Sequence, residues 1–459
     1  MNFIRKYLLM FILIGSITEG FGQDKKETLK LSLPDAQAFA LQNNRTVRSS
    51  KIDIQHAEKQ VWENIAAGLP QFTVAANYLH QFVVPQLSFG PVLDINSLPD
   101  GNITKSDLAN AYKNSPPFPL GVHDNTTIDF TVSQLIFSGE YLVGLQATKV
   151  VKEMTEKSLE KTENETKESV AGTYHLILVL GENEKVLEKS LKSVEQTYNE
   201  LVKMNEQGLN EETDVDQVKI SKSNIQTLIT SIESQKQISI KLLKYQLGLG
   251  FDQNIDLTDS LPGIIEQGNM QYLASSVFDV NNSVDYQLSN YNEKISALLL
   301  KREKSKYLPT IAAFYRHEEQ TNMPAFNFAV KDVVGASLNV PIFTSGMRNA
   351  KVSEAKFDLA KAALARENAG QGLIMEFETA KSTYQTAYSN FITNRESMDL
   401  SRKVYDKTVI KYKEGVSSSF ELTQNQNQFL TAESNYYNSV LSLLNAKAKL
   451  DRILSNSEK

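Results

Sequence analysis

No cysteine occurs anywhere in the 459 residues. That excludes disulfides, thiolate metal centres and a lipid carried on an N-terminal cysteine after processing. Charge of one sign is not in excess either: 48 basic against 54 acidic residues give a net of −6, which supplies no basic field for nucleic acid. Beyond the first 22 residues, no stretch offers the roughly 20 consecutive apolar residues of a membrane-spanning helix. The sequence also lacks Gly-x-Ser-x-Gly, Gly-x-Gly-x-x-Gly and the phosphate-binding Gly-x-x-x-x-Gly-Lys-Ser/Thr. The five histidines, His56, His80, His123, His175 and His317, are scattered, with no His-x-x-x-His pair. We therefore expect no enzyme, cofactor or metal centre, and read the histidines as surface or packing residues.

What is present begins with an export signal. Arg5 and Lys6 precede the apolar run Tyr7 to Ile14, and Gly20-Phe21-Gly22 places small residues before a cut ahead of Gln23. Residues 1–22 are expected to be a cleaved signal peptide. The run is too short for an ordinary transmembrane helix.

The rest of the chain says one thing twice. Leu69-Pro70, Ile136-Phe137-Ser138-Gly139 and Gly208 recur in order as Leu308-Pro309, Ile342-Phe343-Thr344-Ser345-Gly346 and Gly415. The offset is 308 − 69 = 239 at the Leu-Pro pairs, where Asn43 also falls on Asn282. It drops to 346 − 139 = 415 − 208 = 207 at the glycines, so the second copy lacks 239 − 207 = 32 residues. Units this long, present only twice, differ from the short periods of solenoids. The expected organisation is a first repeat over 23–250, a joining segment over 251–279 and a second repeat over 280–459.

Each repeat combines two periodicities. Leu180, Leu187, Leu191, Val194, Tyr198 and Leu201 are spaced as an a/d seam, as are Phe377, Tyr384, Tyr388, Phe391, Met398, Tyr405, Val409 and Tyr412. Val218, Ile225, Leu228 and Ile232 continue the pattern after Gly208. Leu422, Phe429, Tyr436, Val440, Leu443, Leu450 and Leu454 do so after Gly415. Each repeat thus predicts a helical hairpin with its tip near position 208 or 415. Arms of roughly 40 to 60 residues would be about 60 to 90 Å long.

Strand period appears at Thr126 to Phe137, with Ile128, Phe130, Val132 and Ile136 on one face and Thr127, Asp129, Thr131 and Ser133 on the other. It returns at Val333 to Ile342, where Val334, Ala336, Leu338, Val340 and Ile342 alternate with Gly335, Ser337 and Asn339. Gln71 to Val83 and Thr310 to His317 supply partners. Alternating strands of about 10 residues with one apolar face suit a membrane barrel. Four strands cannot close one, because open edges leave backbone groups unpaired in lipid. Several chains must share it.

On these residues the chain resembles the TolC-like outer membrane factors, the trimeric exit ducts of Gram-negative efflux pumps and type I secretion systems. The paired Leu-Pro strand entries, the paired exits Phe137-Ser138-Gly139 and Phe343-Thr344-Ser345-Gly346, Asn43 and Asn282 early in a helix, and the tip Tyr412-Lys413-Glu414-Gly415-Val416 before Phe420-Glu421-Leu422 carry the likeness. The resemblance implies a mainly helical fold with a membrane β-barrel portion. Three protomers would share 12 strands, continued by a long helical barrel in the periplasm. The partners implied are a periplasmic adaptor (a membrane fusion protein), an inner-membrane pump (of RND type ahead of ABC) and outer membrane lipid, with no nucleic acid. By the same resemblance Tyr412, Glu421 and Asp214 constrict the periplasmic entrance, and Gly208, Leu209, Gly415 and Val416 form the tips where the adaptor docks.

Two positions depart from the family pattern: Gln424 stands where some relatives have an acid and Ser417 where some have a basic lock residue. The acids after Gly208, namely Glu211, Glu212, Asp214 and Asp216, also suit a solvated helix start near its positive end. The tip glycines suit left-handed helix caps. Val84 to Asn125, rich in proline and glycine, reads as an external loop, His317 to Val330 as a shorter one, and Gly250 to Asn281 as a belt around the duct. A type I secretion channel is one alternative reading. A non-conducting coiled-coil protein of the envelope is another, but it gives no reason for four amphipathic strands inserted between helices.

Overall fold

The computed structural model describes residues 28–87, 104–114, 118–267, 278–323, 327 and 329–455. The expected signal peptide and the centre of the long loop lie outside them.

The elements in chain order are β1 (Leu29–Leu31), α1 (Leu33–Asn43), α2 (Arg45–Ala66), β2 (Gln71–His80), β3 (Gln86–Leu87), α3 (Lys105–Asn114), β4 (Phe118–Pro119), β5 (Asp124–Ser138), α4 (Gly139–Glu206) and α5 (Glu212–Gln246). The second half contributes β6 (Ile255–Leu257), α6 (Leu261–Gln267), α7 (Val284–Ser305), β7 (Thr310–Gln320), β8 (Asp332–Asn339), α8 (Met347–Lys413) and α9 (Ser419–Ser455). The sequence offsets reappear in the element boundaries. Helices α2 and α7 both have 22 residues, starting at 45 and 284, which are 239 apart. The starts of α5 and α9, at 212 and 419, are 207 apart.

Contacts divide the described residues into two compact units that cut across the sequence repeats: those within 28–48, 162–278 and 376–455 form one, and those within 49–161 and 279–375 the other.

The second of these units contains one antiparallel sheet in the order β2-β5-β7-β8, so the two repeats join edge to edge through β5 and β7. Its register places Phe72, Val132, Tyr315 and Val334 in one cross-strand row. Phe137, Ile311 and Leu338 form another row of the same parity. Many of these side chains are open: Phe72 is 65% exposed, Val334 81% and Leu338 65%. The opposite parity carries the row Thr73, Thr131, Arg316 and Val333, and pairs Asp129 with Glu318. The sheet is apolar on one side and largely polar on the other.

Strand limits differ from the sequence reading for local reasons. β8 stops at Asn339 rather than 342, because Pro341 has no N–H for a ladder. β7 runs to Gln320 because β5 continues beside it, pairing Thr127 with Gln320. A bulge between Leu135 and Phe137 shifts the register, so Phe137 rather than Ile136 joins the apolar rows opposite Ile311.

Among the described residues, the regular structure of the first unit is helical apart from β1 and β6, which pair in parallel. The pairing ties the start of the first repeat to the joining segment, where Leu261-Pro262-Gly263 opens α6, proline being tolerated in a first helical turn. Leu261 is buried with Val179, Tyr384 and Val440. Asn43 closes α1 instead of opening a helix, and Asn282 lies in a short 3-10 turn before α7. Within this unit the a/d residues meet as expected: Leu187, Val194 and Leu201 pack with Val218 and Ile225. Tyr405, Leu422 and Phe429 form the equivalent layer of the other hairpin.

Two polar residues also occupy the α9 seam. Gln426 and Glu433 fall at a/d spacing between Leu422, Phe429 and Tyr436, and each is only 3% exposed.

Candidate functional site at the hairpin tips

Both tips turn on the same hydrogen-bond motif. At the first, Leu209 N–H donates to Met204 O at 2.9 Å and Gly208 N–H to Asn205 O at 2.8 Å. At the second, Val416 N–H donates to Lys411 O at 2.8 Å and Gly415 N–H to Tyr412 O at 3.0 Å. This is the Schellman cap, which requires a left-handed residue after the helix. Gly208 and Gly415 supply it with φ of 74° and 70°. The residues that follow present apolar side chains to solvent, with Leu209 66% and Val416 74% exposed.

Asp214 and Glu421 are repeat equivalents, 421 − 214 = 207, and each is the third residue of its returning helix. Their side chains go different ways. Glu421 is exposed and stays in its own turn, accepting from Ser417 Oγ at 2.7 Å while its N–H donates to Ser418 Oγ at 3.2 Å. The Ser418 contact is a helix N-cap. Asp214 is partly buried and accepts a hydrogen bond from the hydroxyl of Ser419, at the start of α9. Thus α5 and α9, the returning arms of the two hairpins, are joined at their first turns.

Tyr412 is half-buried and packs against both seam layers, that of Leu187, Val194 and Leu201 and that of Tyr405, Leu422 and Phe429. Burial pushes its hydroxyl pKa up to about 12, with the negative charges of Asp214 and Glu200 acting in the same direction. Tyr412, Asp214 and Ser419 therefore share one neighbourhood, whereas Glu421 and Gln424 lie exposed on α9. Ser419, only 4% exposed, was not singled out by the sequence. The signal was its place at the head of α9, but nothing local ties it to Asp214, 205 residues away.

Deeper in the same arms, Ser221 Oγ donates to Gln426 Oε1 at 2.9 Å between α5 and α9. The Glu433 carboxyl is pushed up to about 7 by burial, partly offset by Arg402. Among the described residues no cluster of histidine and carboxylate suits a metal ion.

Long paired helical hairpins, and an antiparallel four-stranded sheet with one apolar face, define the class of outer membrane channel-tunnels. Residues 303–456 match the family model described as outer membrane efflux protein, and the chain as a whole has the TolC-like fold. No curated protein matches the sequence. Among solved structures, the chain is similar to the outer membrane protein VceC of Vibrio cholerae, at 14% identity over 92% of this chain and 95% of that one, with a TM-score of 0.69. It is similar to the CmeC outer membrane channel of Campylobacter jejuni at 15% identity over 92% and 85%, with a TM-score of 0.70. Against the open state of the MtrE outer membrane channel of Neisseria gonorrhoeae, the values are 15%, 92% and 88%, with a TM-score of 0.71.

Proposed function

We propose that this chain is one protomer of a passive outer membrane exit duct of a tripartite efflux pump. The carrying observation is the sheet: one side apolar and exposed, with β2 and β8 as outer strands lacking a further partner among the described residues. Such edges are untenable in lipid unless neighbouring copies pair with them. Three copies of the four strands give a barrel of 3 × 4 = 12. Apolar side chains open on the helices, among them Leu400, Ile410 and Phe357, offer surface for the neighbouring copies.

In this reading Asp214, Glu421 and Tyr412 narrow the periplasmic entrance. Carboxylates repeated by threefold symmetry focus a field that favours cations. Leu209 and Val416 beside the tip glycines receive a periplasmic adaptor, which links the duct to an inner-membrane pump of RND type ahead of ABC. Selection among drugs, metals, bile salts or polypeptides belongs to that pump. The chain is synthesised with a signal peptide and anchored by the barrel.

The test is reconstitution. Purified protein run by native mass spectrometry should be a trimer, and it should conduct ions in planar bilayers. Detergent-extracted protein that stays monomeric and never conducts would favour the non-conducting coiled-coil reading.

A further inference from the structure

Each of the two strand pairs β2/β5 and β7/β8 ends, away from the helices, on the same three side chains. In the first, Tyr78 OH donates to Asp124 Oδ1 at 2.6 Å, and His80 Nδ1 lies 2.7 Å from the same oxygen. In the second, Tyr315 OH donates to Asp332 Oδ1 at 2.6 Å, and His317 Nδ1 lies 2.8 Å from it. His80 faces Asp124, and His317 faces Asp332, on the last rung of its ladder. One backbone bond follows in both: Gln81 N–H donates to His123 O at 2.7 Å, and Glu318 N–H to Lys331 O at 2.8 Å. The first of these bonds leads into the longer loop, whose base is tied again by Leu120 N–H donating to Pro85 O at 2.9 Å, and the second into the shorter one.

The sets share the parity of the apolar rows, since Tyr78 and His80 continue Phe72, Val74 and Ala76. A carboxylate on that side is costly unless hydrogen-bonded, and the tyrosine and histidine satisfy it. Tyrosine alone would serve as an interfacial anchor. The added histidine brings a group that changes charge between about pH 5 and 8. When the ring is protonated, its bond to the carboxylate is charge-assisted and stronger.

We propose that the two Tyr-His-Asp sets are pH-responsive latches that fasten the bases of the two loops and tighten as the surrounding solution acidifies. The surroundings of the two rings are consistent with this direction. His80 is faced by Asp124 and Tyr78 and by the edge of Phe82, with His123 the nearby titratable group. His317 is faced by Asp332 and Tyr315, by Glu319 at 3.3 Å and by the Phe130 ring. Lys331 pairs with Glu319 at 3.1 Å. Protonation of a ring beside its aspartate makes the bond between them charge-assisted, so each latch holds more firmly with its imidazole charged than with it neutral. That these rungs face the exterior, and so sense external pH, rests on the duct reading; the latch itself does not.

The test is hydrogen exchange on the full-length protein in detergent, at pH 5.5 and 8.0, corrected for intrinsic rates. Protection of the Gln81 and Glu318 amides should rise about two- to fivefold at the lower pH relative to mid-strand amides, the range for exposed ion pairs. His80→Gln should abolish the increment at Gln81, and His317→Gln that at Glu318. Asp124→Asn and Asp332→Asn, which keep a hydrogen-bond acceptor but remove the charge, should do the same without unfolding the strands. An increment that survives in His80→Gln and disappears in His123→Gln would overturn the first latch. No increment in the unmodified protein would overturn both. Protein that shows the increment but does not conduct in bilayers would count against the duct and leave the latches standing.

Discussion

Ser419 donates its hydroxyl hydrogen bond to the carboxylate of Asp214, joining the first turn of α9 to the first turn of α5. Both returning arms are thereby fixed to one another where the proposed entrance is narrowest. Hydrogen bonds to charged groups contribute about 1.5–3 kcal/mol. Ser419→Ala should therefore raise open probability in planar bilayers, and Asp214→Asn should add little once Ser419 is gone. Additive effects in that double-mutant cycle would mean the two side chains act separately.

Neutralising the tip acids should lower cation selectivity, read as a shift of reversal potential under a salt gradient. Asp214→Asn combined with Glu421→Gln should conduct more readily than the parent. Glu421→Gln alone should have the smaller effect on opening, because its carboxylate bonds only within its own turn, to Ser417. Unchanged conductance in the double variant would remove these residues from the gate while leaving the duct.

Glu433 gives a pH dependence with a definite sign. Its carboxyl is held up at about 7 by burial, above the ordinary value of an unfolded glutamate. The native state therefore binds its proton more tightly than the unfolded state. Stability from this group is present at about pH 4 and is lost as pH climbs to 7 and beyond, by at most about 3 kcal/mol. Glu433→Gln should raise the melting temperature at pH 8 and leave it nearly unchanged at pH 5. A gain of equal size at both values would rule out the titration.

Gly208→Ala and Gly415→Ala should each cost about 1 kcal/mol, since both positions have φ near +70°. The loss should appear as faster hydrogen exchange confined to the tip and the adjoining turns, with the seam layers unaffected.

The two sides of the sheet should respond oppositely to charge. Val334→Arg, in the exposed apolar row with Phe72, Val132 and Tyr315, should impair assembly into the outer membrane by about 2–4 kcal/mol. Ser337→Arg, one strand face away, should be tolerated. Comparing the amount of heat-modifiable trimer in membrane fractions would check both. Equal tolerance would contradict the assignment of the apolar side to lipid.

Much of this architecture was legible because it is periodic. Spacings of three and four located the seams of α4, α5, α8 and α9, and spacing of two located β5 and β8, since both patterns are properties of a few adjacent residues. Where local chemistry overrode the pattern, boundaries moved, as at Pro341 and at the bulge beside Ile136. The β1–β6 pair was not legible, because three-residue strands carry too little pattern to stand out. Gln426 and Glu433 hid in plain view: a heptad search counts apolar residues and passes over the polar ones that occupy the same seam.

The sequence by itself determined the duplication, the order of strands and hairpins, the tip glycines and the apolar side of the sheet, all of which follow from backbone preference and periodicity. Only the tertiary structure decided that Asp214 meets Ser419 while its repeat equivalent Glu421 does not. Only it showed that His80 and His317, apparently scattered, each close a ladder against an aspartate. Those pairings depend on strand register and on how one helical hairpin packs against the next. They join residues tens to hundreds of positions apart, a separation at which spacing along the chain carries no information.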